Sequence, residues 1–261
     1  MAGVGAVALL LAAAGCGGTE SGQGSCAAGP QPPGVRATLT AEQAFAASDV
    51  NNLSRRFFAA GARCVAVGNP GGTTLEVSEQ GITGARADLL MKPGRLVFVT
   101  WVKRDPAASS SAPFAVLDPR QVASADGGTC VGSSVTLECA PAGYVGVEAG
   151  VDSSAVTRVS FGTDRASRLP LLSVVLSETG TARLAAVTAP MPRQPTPLNQ
   201  LALLVDDTMI SNANVNQPLT NGIVQVGSGA FAAQPGYAAD LVNLVNTGHV
   251  TPYRVTARSL L

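Results

Sequence analysis

Residues 95–103 read RLVFVTWVK, and this run restricts the possible folds more than any other part of the chain. Side chains alternate between the two faces of a strand, and here both faces carry apolar residues. Such a strand is stable only near the middle of a sheet that is covered on both sides. The segments before it supply a frame. Residues 35–39 alternate like a short strand, Thr40 and Gln43 have capping-box spacing, and Asp49 is placed to cap a helical turn. Leu53, Phe57 and Ala60 then recur at helical intervals, and Gly61 suits the stop. Residues 63–67 and 73–78 read as strands across the turn Asn69-Pro70-Gly71-Gly72, and residues 83–91 as a helix ending at Pro93-Gly94. The order strand, helix, strand, strand, helix, strand predicts a ferredoxin-like lobe over residues 35–104, with 95–103 as its last strand.

A Ser/Ala/Pro-rich linker at 105–113 leads to a second unit over 114–250. There, residues 171–176 read as a buried strand, Ser177 as an N-cap, and Leu184 with Val187 as the apolar face of the helix that follows. Residues 201–205 and 223–226 read as strands, with Asp206-Asp207 as a turn. Residues 237–245 form a helix with Ala238, Leu241, Leu244 and Val245 on one face, stopped by Gly248. Residues 251–261 return as a strand beside the first lobe. The fold class expected is α+β, a ferredoxin-like base lobe followed by an α+β head lobe.

The front of the chain is of another kind. Residues 1–15 carry no charge and run apolar and small around Leu9, Leu10 and Leu11, before Ala13-Ala14-Gly15-Cys16. An apolar core of about ten to fourteen residues is a secretory signal, too short for the roughly twenty that span a bilayer. Small residues before a cysteine are what lipoprotein processing uses, so Cys16 is the expected site of a diacylglycerol anchor. Ala13 stands where such signals usually carry leucine, and no Lys or Arg precedes the apolar core. Ordinary cleavage nearby, releasing a secreted protein, is the alternative. Residues 16–34 are rich in Gly, Ser and Pro and read as a flexible tether.

The other cysteines agree with export. Cys26, Cys64, Cys130 and Cys139 are an even number in an oxidising compartment and allow three connectivities. Cys130 and Cys139 flank a turn-capable run, which favours a local bridge contributing about 2–3 kcal/mol. Cys26 with Cys64 then ties the tether to the base. No Cys-x-x-Cys occurs and His249 is the only histidine, so no metal and no cofactor is expected. Charged residues make up 13% of the chain, and 17 basic and 17 acidic side chains cancel. No basic field is available to hold nucleic acid, which excludes that class of partner.

Residues 201–252 read LALLVDDTMISNANVNQPLTNGIVQVGSGAFAAQPGYAADLVNLVNTGHVTP. This resembles the closing part of the large extracytoplasmic domain of SecD, the membrane subunit that assists protein export. That family's pattern runs roughly L-A-I-V-L-D-G-x-x-I-S-A-P, then x-I-x-G-x-F-T-x-x-x-A-x-x-L-A-x-x-L-x-x-G-x-x-P. Leu53-Ser54-Arg55-Arg56-Phe57 through Gly61-Ala62, Leu75-Glu76-Val77 and Gly94-Arg95-Leu96-Val97-Phe98 are similar to the SecD base, whose helix reads L-x-x-R-V-x-x-x-G-V. Leu117-Asp118-Pro119-Arg120-Gln121-Val122 and residues 170–188 are similar to segments of its head. The resemblance implies a head that swings on a base and holds emerging polypeptide. SecD continues into membrane helices that, with its partner SecF, couple proton flow to export. The present sequence ends at Leu261, so the implied role is holding without a proton-driven motor.

Candidate catalytic groups have structural explanations. His249 lies just past a helix end, where a cation suits the last carbonyls, and no nucleophile elbow accompanies it. Asp206-Asp207 read as turn residues rather than paired carboxylates. Gly227-Ser228-Gly229 precedes no helix carrying a Lys and reads as a turn, not a phosphate loop. Trp101 and the phenylalanines sit in apolar runs and belong to the core. Asn212-Ala213-Asn214 departs from the family's Ser-Ala-Pro. A non-enzymatic domain is therefore expected, with polypeptide added as a strand along a head edge at Ile223, Val224, Gln225, Val226 and Phe231. Expected partners are Sec translocon components or exported polypeptides, at the outer face of the cytoplasmic membrane, with the lipid on Cys16 as the membrane contact. The alternative is an envelope module that binds a lipid, glycan or partner protein and takes no part in export.

Overall fold

The computed structural model describes residues 33–261 apart from 69, 83, 104–121, 124–128, 131–138, 141–143, 166, 207, 228–230 and 232–234. The signal segment 1–15, Cys16, Cys26, most of the tether and the 105–113 linker lie outside the described residues. The first elements in chain order are β1 (Gly34–Ala41), α1 (Ala47–Ala59), β2 (Cys64–Val67), β3 (Thr74–Gln80), α2 (Gly84–Leu90) and β4 (Leu96–Lys103). Three two-residue strands follow: β5 (Val122–Ala123), β6 (Thr129–Cys130) and β7 (Cys139–Ala140). Next come β8 (Tyr144–Asp152), β9 (Val156–Thr163), β10 (Pro170–Leu176) and α3 (Glu178–Thr188). The chain closes with β11 (Gln200–Val205), β12 (Thr208–Asn214), β13 (Ile223–Gly227), α4 (Pro235–Asn246) and β14 (Tyr253–Leu260). Among the described residues no helix is long and apolar enough to cross a membrane.

The base is an antiparallel sheet of order β14-β1-β3-β2. With α1 and α2 this is the ferredoxin-like arrangement, but its last strand is β14 and not β4. The physical reason lies in burial. The base sheet has one apolar face, built from residues such as Val35, Leu39, Leu75 and Val77, and an outer face with the exposed Arg36 and Glu76. A strand apolar on both faces would expose one of them there. β14 is mostly polar and fits an edge, whereas β4 lies inside the sheet β12-β11-β4-β8. There Leu96 and Phe98 enter the head core, and Val97, Val99 and Trp101 form a second cluster with Ala202, Leu204 and Met209. The head is thus inserted between α2 and the final strand of the base.

Capping differs from expectation as well. Thr40 lies within β1, and no helix begins beside it. The helix starts at Ala47, and Asp49 in its first turn accepts the Ala46 N–H at 2.7 Å. Gly61, at φ 95°, ends it as expected.

Besides the small sheet β5-β6-β7, the head holds another sheet, β13-β10-β9, joined to the four-stranded one through a 3₁₀ turn at Ser153–Ala155. Ser177 caps α3 by accepting the Gly180 N–H at 3.2 Å. The inner face of this sheet packs on α3 and α4 through Leu172, Val174, Leu184, Leu241 and Leu244. Cys64 is disulfide-bonded, and the backbone register sets Cys130 opposite Cys139.

One buried carboxylate stands out in the base. Glu79 faces inward on β3, opposite Val35 and Val65, and is 1% exposed. Its Oε2 accepts the Ile82 N–H at 3.2 Å, and its Oε1 has no partner among the described residues. Burial pushes its pKa up from 4.5 to about 7, against the smaller opposing effect of backbone N–H groups. Below the unfolded value both states are protonated and nothing is lost. Stability then falls as pH rises to about 7, because the folded state alone must hold the proton or bury the charge. Glu79→Gln should therefore match the wild type near pH 5 and melt at a higher temperature at pH 8. Identical pH dependence in the two proteins would remove Glu79 as its origin.

Candidate functional site

The chain crosses between the lobes twice, outward along residues 91–95 and back along residues 247–252, and α1 lies against both crossings. Leu53, Arg56 and Phe57 share its buried face, and Arg56 is fully buried. A guanidinium in such a place must find acceptors. Its Nε donates to Thr247 Oγ1 at 3.0 Å, and its terminal nitrogens donate to the carbonyls of Lys92, Pro93 and Gly248. Lys92 and Pro93 belong to the outgoing crossing, Thr247 and Gly248 to the return at the end of α4. Burial lowers the Arg56 pKa, opposed by Tyr253, Asp206 and Asp49. Gly94 is required beside it. At φ 82°, a Cβ there would stand 2.8 Å from an Arg56 nitrogen and 2.9 Å from the Leu244 carbonyl.

Further bonds brace the same junction. Asp49 accepts the Thr251 N–H at 3.1 Å and its hydroxyl at 2.9 Å, and Asn243 Nδ2 donates to the Arg56 carbonyl at 2.7 Å. Arg86 on α2 pairs with the buried Asp240 on α4 through two bonds of 2.6 and 2.9 Å. The Asp206 carboxylate accepts the N–H groups of Gly94 and Arg95 at 3.0 and 2.8 Å, pinning the start of β4. Burial pushes the Asp206 pKa up, and those N–H groups, Lys92 and Arg56 oppose it. Asp206 thus serves the turn, at φ 55°, as its sequence context implies. His249 is exposed, and its carbonyl takes the Asn52 amide at 3.2 Å. These groups hold backbone in place. Among the described residues no group of three or more His, Cys, Asp or Glu is placed to hold a metal.

The second feature is the strand edge. β13 pairs with β10 on one side and, among the described residues, with no strand on the other. Ile223 is 44% exposed and Gln225 is exposed, while Val224 and Val226 turn into the head core. Phe231 is 1% exposed, edge-to-face with Phe161 at 5.9 Å. Its ring is therefore core and not a surface that a bound chain meets, which corrects its expected role as a contact. What the edge offers is backbone, with Ile223 and Gln225 beside it. At the other side of the same sheet the edge strand β9 is capped at Val159. The Asn246 side chain takes the Val159 N–H at 2.8 Å and donates to its carbonyl at 2.7 Å, as a paired strand would.

An open groove of about 550 Å³ lies on the base beside β14, lined by Thr40, Glu42, Gln43, Thr251, Tyr253 and Arg254 among others. It gathers hydroxyls, an amide and two opposite charges, with no histidine or cysteine.

No family model and no curated protein matches the sequence. Solved structures do match the fold. It is similar to the crystal structure of SecDF in its super-membrane-facing form, with a TM-score of 0.54 and 16% identity over 87% of this chain. The chain spans 30% of the length of that SecDF chain. A second structure is of SecDF described as a membrane component that enhances protein export. It matches with a TM-score of 0.53 and 16% identity, over 85% of this chain and 98% of that one. The two-lobed α+β fold is thus SecD-like, and identity this low speaks for the fold alone.

Arg56→Met keeps the apolar stem and removes every donor, taking away the hydrogen bonds to Thr247 Oγ1 and to the Lys92, Pro93 and Gly248 carbonyls, of which Pro93 retains the Val250 N–H at 2.9 Å. A hydrogen bond to a charged group contributes about 1.5–3 kcal/mol, so the loss of unfolding free energy should reach about 2 kcal/mol or more. Urea titration measures it, and a loss under about 0.5 kcal/mol, the range of ordinary surface substitutions, would contradict the clamp.

Proposed function

We propose that this chain is a non-enzymatic extracytoplasmic domain that binds translocating or newly exported polypeptide, as an accessory to Sec-dependent secretion and without motor activity of its own. The free edge of β13 carries this reading. It stands in a sheet whose opposite edge, β9, is capped at Val159 by Asn246 and carries Arg158, whereas its own sequence, Ile223-Val224-Gln225-Val226-Gly227, holds no charge and no proline. Long exposed edges elsewhere carry blunting devices. β14 has Arg254 and Arg258 along it and a bulge opposite Thr38 and Leu39. An extended client binds by adding a strand, so it needs an open edge on a head held at a set orientation.

The SecD-like fold supports a place in export, since the solved SecDF is described as enhancing that process. In this reading a diacylglycerol on Cys16 anchors the domain at the outer face of the cytoplasmic membrane, and residues 16–34 give it reach. Engagement through backbone suits a domain that meets many different sequences.

The test is photo-crosslinking in the native host from Ile223 and Gln225, with the exposed Val255 on β14 as control. Translocon subunits or newly exported chains should be captured from the two β13 positions and not from Val255. Adducts confined to mature envelope components would replace the export role with an envelope interaction.

A further inference from the structure

The hydrogen-bond phase of β13 decides which of its backbone groups are free. Leu176 N–H donates to the Gly222 carbonyl at 2.8 Å, and the register continues Val175 opposite Ile223, Val174 opposite Val224, and Leu172 opposite Val226. In an antiparallel ladder, opposed pairs alternate between exchanging both bonds and exchanging none. The pairs at Val174 and Leu172 are therefore bonded. Ile223, Gln225 and Gly227 turn their N–H and C=O groups away from β10.

The other side of the sheet checks this phase independently. Val174 spends its groups on β13, so Val159, opposite it on β9, must turn outward. That is where Asn246 takes both of its groups. On β13 the Ile223 N–H is already taken by Asn221 Oδ1 at 3.2 Å. Among the described residues, the outward groups that remain without a partner are the Ile223 carbonyl and both groups of Gln225 and of Gly227.

Side-chain parity adds a second restriction. Ile223 and Gln225 point to the outer face of the sheet, while Val224 and Val226 point to the core at 9% and 7% exposure. A client residue facing Gln225 shares its outer face. The residues on either side of it fall on the inner face, next to Val224 and Val226 at the rim of the head core.

We infer that β13 selects its client by backbone phase and alternation: an extended segment, antiparallel, with an N–H and therefore no proline at the residue facing Gln225, and apolar side chains at the two residues flanking it. This rests on the reading of β13 as a polypeptide-binding edge and specifies the sequence class that edge takes. The same phase selects the informative substitution. Val224→Pro removes a bond to β10 and loosens the head, whereas Gln225→Pro removes only an outward N–H.

The experiment titrates the full-length protein into a fluorescent peptide, Lys-Gly-Ser-Val-Ser-Val-Ser-Gly-Lys, by anisotropy. Backbone N-methylation is placed in turn at the central serine and at each valine. Methylation at the central serine should weaken binding about tenfold or more, equivalent to one lost hydrogen bond, and at either valine about twofold or less. Exchanging both valines for serine should also weaken binding about tenfold, for the lost apolar burial. Equal sensitivity at all three positions, or greater sensitivity at the valines, overturns the rule. Gln225→Pro separates the two levels of the claim. If it abolishes capture of clients in the native host while the methylation pattern fails, only the sequence rule falls. If it and Gln225→Ala both leave capture and peptide binding unchanged, the β13 edge is not the binding site and the underlying reading falls with it.

Discussion

A fully buried guanidinium is tolerable only where fixed dipoles converge, and Arg56 finds them where the chain passes between the lobes. Its acceptors are carbonyls from both crossings and one hydroxyl, all pre-placed by helix ends and turns. The dependence runs both ways. Arg56 needs the crossings for its hydrogen bonds, and the crossings need Arg56 because its guanidinium ties carbonyls of the outgoing segment to one of the return. Gly94 has to be glycine for the same reason, since the guanidinium and the Leu244 carbonyl occupy the space of a side chain. Asp49 and Arg86 extend this contact to Thr251 and Asp240, so that the base helices and α4 meet through polar groups as well as through Leu89, which packs against the head core.

That junction makes the insertion of the head compatible with a closed base. A ferredoxin-like sheet lacking its last strand would leave β1 open along its length. β14 closes it, but only because residues 247–252 bring the chain back to within reach of Asp49 and Arg56. The sheet's polar outer face also explains why β4 leaves the base. With Val97, Val99 and Trp101 on one side and Leu96 and Phe98 on the other, it requires cover on both sides, which the head provides.

Periodicity in the sequence carried the environment of most elements and the partners of few. The RLVFVTWVK run is legible as a doubly covered strand, but nothing local to it says which lobe does the covering. The helix face at Leu53 and Phe57 is equally legible. Arg56 lies in the same stripe, at the fixed arginine of the L-x-x-R pattern, and a charge at a core position was the available signal for the junction. Thr40 and Gln43 match a capping box by spacing alone, and the strand pairing of Thr40 with Arg254 overrides it. At the head edge the alternation Ile223-Val224-Gln225-Val226 marks a strand with one buried face. The open side of that strand depends on sheet order, which lies beyond any local window. Phe231, apolar and next to a glycine-rich turn, reads alike as surface contact or core until Phe161 is found against it.

Helix α4 ties the two features into one mechanical unit. Its Asn246 caps β9 at Val159, the next two residues hold Arg56, and its Asp240 holds Arg86. Any movement of the head on the base would have two routes in this structure. Either the clamp at Arg56 opens, which strands buried carbonyls on both crossings, or α4 stays with the base and peels from the head, which uncovers the apolar residues Leu241 and Leu244 and frees the backbone of Val159. The second route would uncap β9 in the very sheet that carries β13. Each bond lost by either route is at least partly buried and costs more than a surface contact. The lobes are thus held in one orientation by the same helix that caps β9 at Val159, and the edge left for another chain is the one α4 does not cap.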